Sequence, residues 1–102
     1  MAAADASVSA NAGGAVRRAG SRIFARDGDR WVDSRMKRDL RVYKVKAYSP
    51  SYFALLEKLP ELREAFGLGD RVVVAGRSVA IEIVEDAPEL TESDMQRISA
   101  AW

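Results

Sequence analysis

The sequence predicts a small α+β domain, with a mostly antiparallel sheet of four or five strands covered on one face by a short α-hairpin. Three observations carry this reading. Two Gly-containing turns, "RDGDR" at 26–30 and "AGR" at 75–77, each separate a pair of β-branched or aromatic runs, as hairpins require. The segment "LRVYKVKAY" at 40–48 has strand period, with Tyr43, Val45 and Ala47 alternating with Lys44 and Lys46. Between that strand and the second hairpin, "SPSYFALLEKLPELREAF" at 49–66 switches to helical period and is broken once, at Pro60. The expected order is β-β-β-α-α-β-β, with a candidate helix at the C-terminus.

Taken in chain order, residues 1–16, "MAAADASVSANAGGAV", show no periodic apolar pattern and no aromatic ring. Such a segment cannot bury enough surface to offset the entropy of ordering it, so it is expected to be a flexible leader. Residues 17–86 are expected to form the single α+β domain. In the first hairpin, 21–35, Ile23-Phe24 and Trp31-Val32 are the strand formers, and Gly28 takes the positive φ of the turn. Residues 35–40 are a polar link to the strand at 40–48. Ser49 is the expected N-cap of the first helix, with Pro50 at its first position, where a missing N–H costs nothing. Tyr52, Leu55, Leu56 and Leu59 form its buried stripe. Pro60 opens a second short helix, 60–66, with Glu61 in the first turn and Gly67 and Gly69 closing it. In the second hairpin, 70–86, Val72 and Val74 face Val79, Ile81 and Ile83 as the centre of the sheet. Residues 87–102 are expected to be a tail, helical from 91, with Thr91 as N-cap and Asp94 approximating a capping box. Leu90, Met95, Ile98 and Trp102 share one face of that helix and need something to dock on.

Composition narrows the chemistry. The chain has no Cys, hence no disulfide, thiolate metal site or thiol nucleophile, and no His, the commonest general base and metal ligand. No run approaches the roughly 18 apolar residues of a membrane span. The N-terminus lacks the basic region of a signal peptide. The expected location is cytoplasmic for a complete chain, and that of the parent for a piece of a larger protein. The net charge of +1 hides an asymmetry: Arg17 to Lys46 holds eleven Lys/Arg and four Asp/Glu, and Ser49 to Trp102 holds five and ten. A basic half precedes an acidic half.

The segments "RIFARDGDRWVDSR", "VYKVKAYSPSYFALLEKLPELREAFGLGDRVVV" and "VAIEIV", spanning about residues 22–84, together resemble the small C-terminal module of bacterial proteins that carry a VIT domain and a von Willebrand factor A domain. The resemblance implies an accessory, non-catalytic domain of a surface or envelope protein. The closing "AGRSVAIEIV" departs from that pattern, and the tail has no counterpart in it.

Several patterns suggest chemistry and lose to plainer readings. "DASVS" at 5–9 spells the D-x-S-x-S of von Willebrand A metal sites, but nothing before Asp5 can form the buried strand such a site needs. In "DGDRWVD" the carboxylates Asp27, Asp29 and Asp33 lack the EF-hand pattern, so solvated side chains around a hairpin turn are expected. Glu57, Glu61 and Glu64 sit on short exposed helices, with no pocket to drive their pKa values apart. Trp31 and Tyr43 could stack on bases beside Arg41, Lys44 and Lys46, yet alternation puts Tyr43 opposite Lys44 and Lys46.

The function these readings favour is a non-enzymatic interaction or assembly module, packing against a neighbouring domain, a protein partner or another copy of itself. The expected contact residues are the basic row Arg41, Lys44 and Lys46 with Arg35 and Arg38 nearby, or else the C-terminal face of Met95, Ile98 and Trp102. No cofactor and no small-molecule substrate are expected. The alternative is an accessory protein that binds nucleic acid through the basic half.

Overall fold

In the computed structural model of the chain, residues 15–102 are described. The expected leader and its "DASVS" therefore lie outside the described residues, apart from the leader's last two positions. Among the described residues nine elements follow: β1 (Val16–Ala19), β2 (Arg22–Asp27), β3 (Arg30–Asp33), β4 (Arg41–Lys46), α1 (Pro50–Lys58), α2 (Leu62–Phe66), β5 (Val72–Ala75), β6 (Val79–Val84) and α3 (Glu92–Ala101). The fold is mixed α+β, with one six-stranded sheet in the order β1-β2-β3-β5-β6-β4 and three helices.

The strand count corrects the expected four or five. The added strand is β1, whose "VRRA" is too short and too basic to read as a strand and buries only Ala19. It exists because β2 offers it a register, Val16 opposite Ala25 through Ala19 opposite Arg22, with Gly20 at φ 65° in the turn. The first strand among the described residues thus begins one residue before the expected boundary at 17. The direction of pairing is also only partly as expected. The hairpins β1–β2, β2–β3 and β5–β6 are antiparallel, but β3–β5 and β4–β6 are parallel. The β5–β6 hairpin inserts between β3 and β4, and that long-range choice leaves no mark on local sequence pattern.

Partner residues across the sheet share a face, so the registers divide it cleanly. Phe24, Trp31, Tyr43, Val45, Val72, Val74, Val79, Ile81 and Ile83 belong to one buried cluster, together with Tyr52 and Leu55 of α1, Leu62 and Phe66 of α2, and Met95 and Ile98 of α3. All three helices therefore pack on this side. The other side carries Val16, Ile23 and Val42, each more than a third exposed, with Lys44, Lys46 and an Arg30–Glu82 ion pair of 2.9 Å.

The helix ends follow the local chemistry. The Ser49 hydroxyl accepts from the Tyr52 N–H, and Pro50 stands in the first turn of α1. The second helix starts at Leu62 rather than at Pro60. Thr91 and Asp94 complete a reciprocal capping box on α3. Met95 and Ile98 of the expected tail belong to the buried core. The tail's approach is tied down where Glu89 Oε1 accepts from the Ser51 N–H at 2.9 Å and from its hydroxyl at 2.7 Å.

Asp33 overturns one expectation. It is not solvated but 2% exposed. Its Oδ2 accepts from Arg22 Nε and from the Ala75 N–H, both at 3.0 Å, and its Oδ1 accepts from the Arg35 N–H at 3.0 Å. Arg22, itself buried, also donates to the Ala75 carbonyl at 3.1 Å and to Glu61 at 2.6 Å. Strands β2, β3 and β5 and the start of α2 are pinned at one polar knot, in which every buried group has a partner.

Candidate functional site

Among the described residues β4 is an edge strand, hydrogen-bonded to β6 alone. In a parallel ladder alternate residues turn both backbone groups to the same neighbour. The Ala47 N–H donates to the Val84 carbonyl at 3.0 Å, which aims the odd-numbered residues of β4 at β6. The N–H groups of Val42, Lys44 and Lys46 and the carbonyls of Val42 and Lys44 therefore point out of the sheet. Edge strands with free backbone groups are templates for a further strand, and lysines on them commonly blunt unwanted pairing.

The expected basic row divides here. Lys44 and Lys46 are exposed on the uncovered face beside Val42. Arg41 lies on the helix side, its guanidinium carbon 5.2 Å from the Tyr43 ring centroid. None of the three makes an ion pair among the described residues, although Asp27, Asp33, Glu61, Glu82 and Glu85 are all paired elsewhere. Arg35 and Arg38 are exposed in the loop that leads from β3 to β4.

Met95 and Ile98 are 6% and 0% exposed and lie in the protein's own core, so they are not available to a partner. Trp102 packs against the same core but keeps part of its ring exposed. It lies half-buried at the far end of α3, with its indole Nε1–H donating to Glu61 Oε2 at 3.2 Å. Its carbonyl accepts from the Arg77 N–H at 2.9 Å. Of the two alternative contact regions, the structure brings Arg35 and Trp102 to the walls of one cavity.

Two surface aromatics complete the β4 region, Tyr48 at 63% and Phe53 at 53% exposure. The Tyr52 ring links them, 5.2 Å from Tyr48 and 5.1 Å from Phe53, and stacks on Phe66 at 4.8 Å on its buried side. Tyr48 holds φ at 62°, a left-handed conformation that costs a non-glycine residue roughly 1 kcal/mol. That conformation reverses the chain between β4 and the Ser49 cap and turns the ring outward. Burial, with a smaller contribution from Tyr48, raises the Tyr52 phenol above its ordinary pKa. The sequence reading did not single out Phe53, and its place off the stripe of Tyr52, Leu55, Leu56 and Leu59 is the signal that marks it. Tyr48 has no such signal, because strand alternation gives no warning of a positive φ.

Among the described residues no three His, Cys, Asp or Glu side chains gather to hold a metal ion, and no helix is long and apolar enough to cross a membrane. No protein family, curated protein or solved structure matches the chain. The von Willebrand factor A-associated resemblance therefore rests on the sequence segments alone.

Proposed function

We propose that the chain is a non-enzymatic interaction module that receives an extended acidic segment of a protein partner as an added strand along the outer edge of β4. One observation carries the reading: a strand edge whose outward backbone groups and cations have no partner among the described residues runs directly into an exposed aromatic pair. Lysines alone would serve to keep the edge solitary. Tyr48 and Phe53 work against that purpose, because exposed aromatic rings are the side chains that most often anchor partners. In strand addition the backbone supplies affinity and alternate side chains supply specificity. Here Lys44 and Lys46 would select carboxylates, and Tyr48 would anchor the end of the segment. The nucleic-acid alternative is less well supported, since Tyr43 is buried on the face opposite Lys44 and Lys46 and offers no stacking platform beside them.

The test is a titration of isotope-labelled protein with a peptide of alternating Glu and Val, followed through backbone amide resonances. The expected result is saturable movement of the Val42, Lys44 and Lys46 amides. Lys44→Glu with Lys46→Glu, and separately Tyr48→Gly, are expected to weaken it at least about fivefold, equivalent to ~1 kcal/mol each. Tyr48→Gly suits the purpose because glycine accepts the same φ and removes only the ring. Absence of any response at β4 would overturn the reading. A response to single-stranded DNA alone, falling steeply with salt, would transfer it to nucleic acid.

A further inference from the structure

A second basic feature lies at the other end of β4. Where the sheet ends near Ala75 and the chain turns from β5 into β6, a cavity of about 450 Å³ opens between the β3–β4 loop and the end of α3. Its volume falls within the range of small-molecule sites. Arg22, Arg35, Lys37 and Arg77 line it, with Leu40 and the Trp102 indole as its apolar walls, and no Asp or Glu is among its lining residues. The charge of Arg22 is already matched by Asp33 and Glu61. Arg35, Lys37 and Arg77 make no ion pair among the described residues.

Two of these cations are held in place without being neutralised. Arg77 Nη2 donates to the Ala100 carbonyl at 3.0 Å, and Arg35 Nη2 donates to the Ser21 carbonyl at 3.4 Å. Each bond uses one of the five N–H donors of a guanidinium and leaves the planar fork intact. The Trp102 wall is fixed as well, by its bond to Glu61 and by close contact with Gly76, where even a Cβ would come within 2.5 Å of the ring. Three like charges that converge on a concave, part-apolar space raise the local potential and are stabilised by a multivalent anion. Held guanidiniums match phosphate oxygens in geometry as well as in charge.

We propose that this cavity binds the phosphate group of a small phosphate ester, with Arg35, Lys37 and Arg77 on the phosphate and Leu40 and Trp102 against the organic remainder. The site is separate from the β4 edge and does not depend on the strand-addition reading.

The experiment follows the two tryptophan indole N–H resonances of the full chain during titration with ribose 5-phosphate and with inorganic phosphate, against sodium chloride at matched ionic strength. Trp31 is buried in the core and serves as the internal reference. The expected result is a saturable shift of Trp102 with a still Trp31. The ester should bind more tightly than inorganic phosphate, because it alone carries an organic remainder to place against Leu40 and Trp102. Lys37→Glu and Arg35→Glu, both in the exposed loop, should each weaken binding about tenfold while leaving the remaining spectrum in place, the loss expected for one charge-assisted hydrogen bond. Equal binding of ester and inorganic phosphate would support recognition of the phosphate group and overturn the role given to Leu40 and Trp102. No shift, an equal shift with sodium chloride, or unchanged affinity in Lys37→Glu would overturn the site. So would a Trp102 shift produced by the acidic peptide and not by either phosphate.

Discussion

Arg22 and Asp33 meet 3.0 Å apart with side chains 9% and 0% exposed, so a single substitution there reaches several parts of the sheet at once. A buried ion pair gains little over apolar side chains of the same volume, but removing one partner strands the other's charge and typically costs ~3 kcal/mol or more. Asp33→Ala is expected to lower the unfolding free energy by about that amount in a urea titration, because it also orphans the Ala75 N–H. Glu61, at the rim of the same knot, adds a pH dependence. The hydrogen bond from Arg22, assisted by the Trp102 indole and opposed by partial desolvation, holds its carboxyl below the ordinary value of 4.5. With the folded value lowered, this contribution is complete above the unfolded pKa and is lost as pH falls through the folded one. Wild type should therefore lose more stability between about pH 6 and about pH 3 than Glu61→Gln does. The Glu61 side chain is 53% exposed, which keeps the difference below ~1 kcal/mol.

At the scale of the element, ends were easier to read than partners. Ser49-Pro50 and Thr91 with Asp94 announce helix starts through hydrogen bonds between near neighbours in the chain, and both starts stand where those residues put them. β1 has no such signature: "VRRA" becomes a strand only because β2 lies beside it. Asp33 shows the same limit, since the Arg22 and Ala75 that bury it arrive from other strands. Thr91→Ala, which removes the reciprocal cap, should cost ~1 kcal/mol by denaturant unfolding. Gly76→Ala probes the opposite end of the same helix. Its Cβ would fall 2.5 Å from Trp102 Cε3, so the indole must move. Overpacking of this kind costs about 1–3 kcal/mol, and the Trp102 indole resonance should shift with it.

For the whole molecule, the consequential difference from the sequence reading is the status of residues 87–102. Local pattern identified an amphipathic helix and left its dock open, because nothing local says that the uncovered part of the core lies beneath it. In the fold, α1 and α2 cover only part of the sheet, and α3 adds Met95 and Ile98 to the core while Leu90 and Trp102 pack against it. Shortening a buried Ile or Met to Ala ordinarily costs about 2–5 kcal/mol. Deleting the segment removes two such side chains outright and exposes the strand residues under them. A domain of this size has only about 5–15 kcal/mol of stability in total. A chain ending at Glu89 is therefore expected to lose its cooperative thermal transition and the amide-exchange protection of β5 and β6. A separable tail would leave both unchanged. The substitution Ile98→Ala in the full chain distinguishes packing from mere shortening: it should lower the unfolding free energy by several kcal/mol, within the range of about 2–5, while the Thr91 cap and the Glu89–Ser51 tie remain in place.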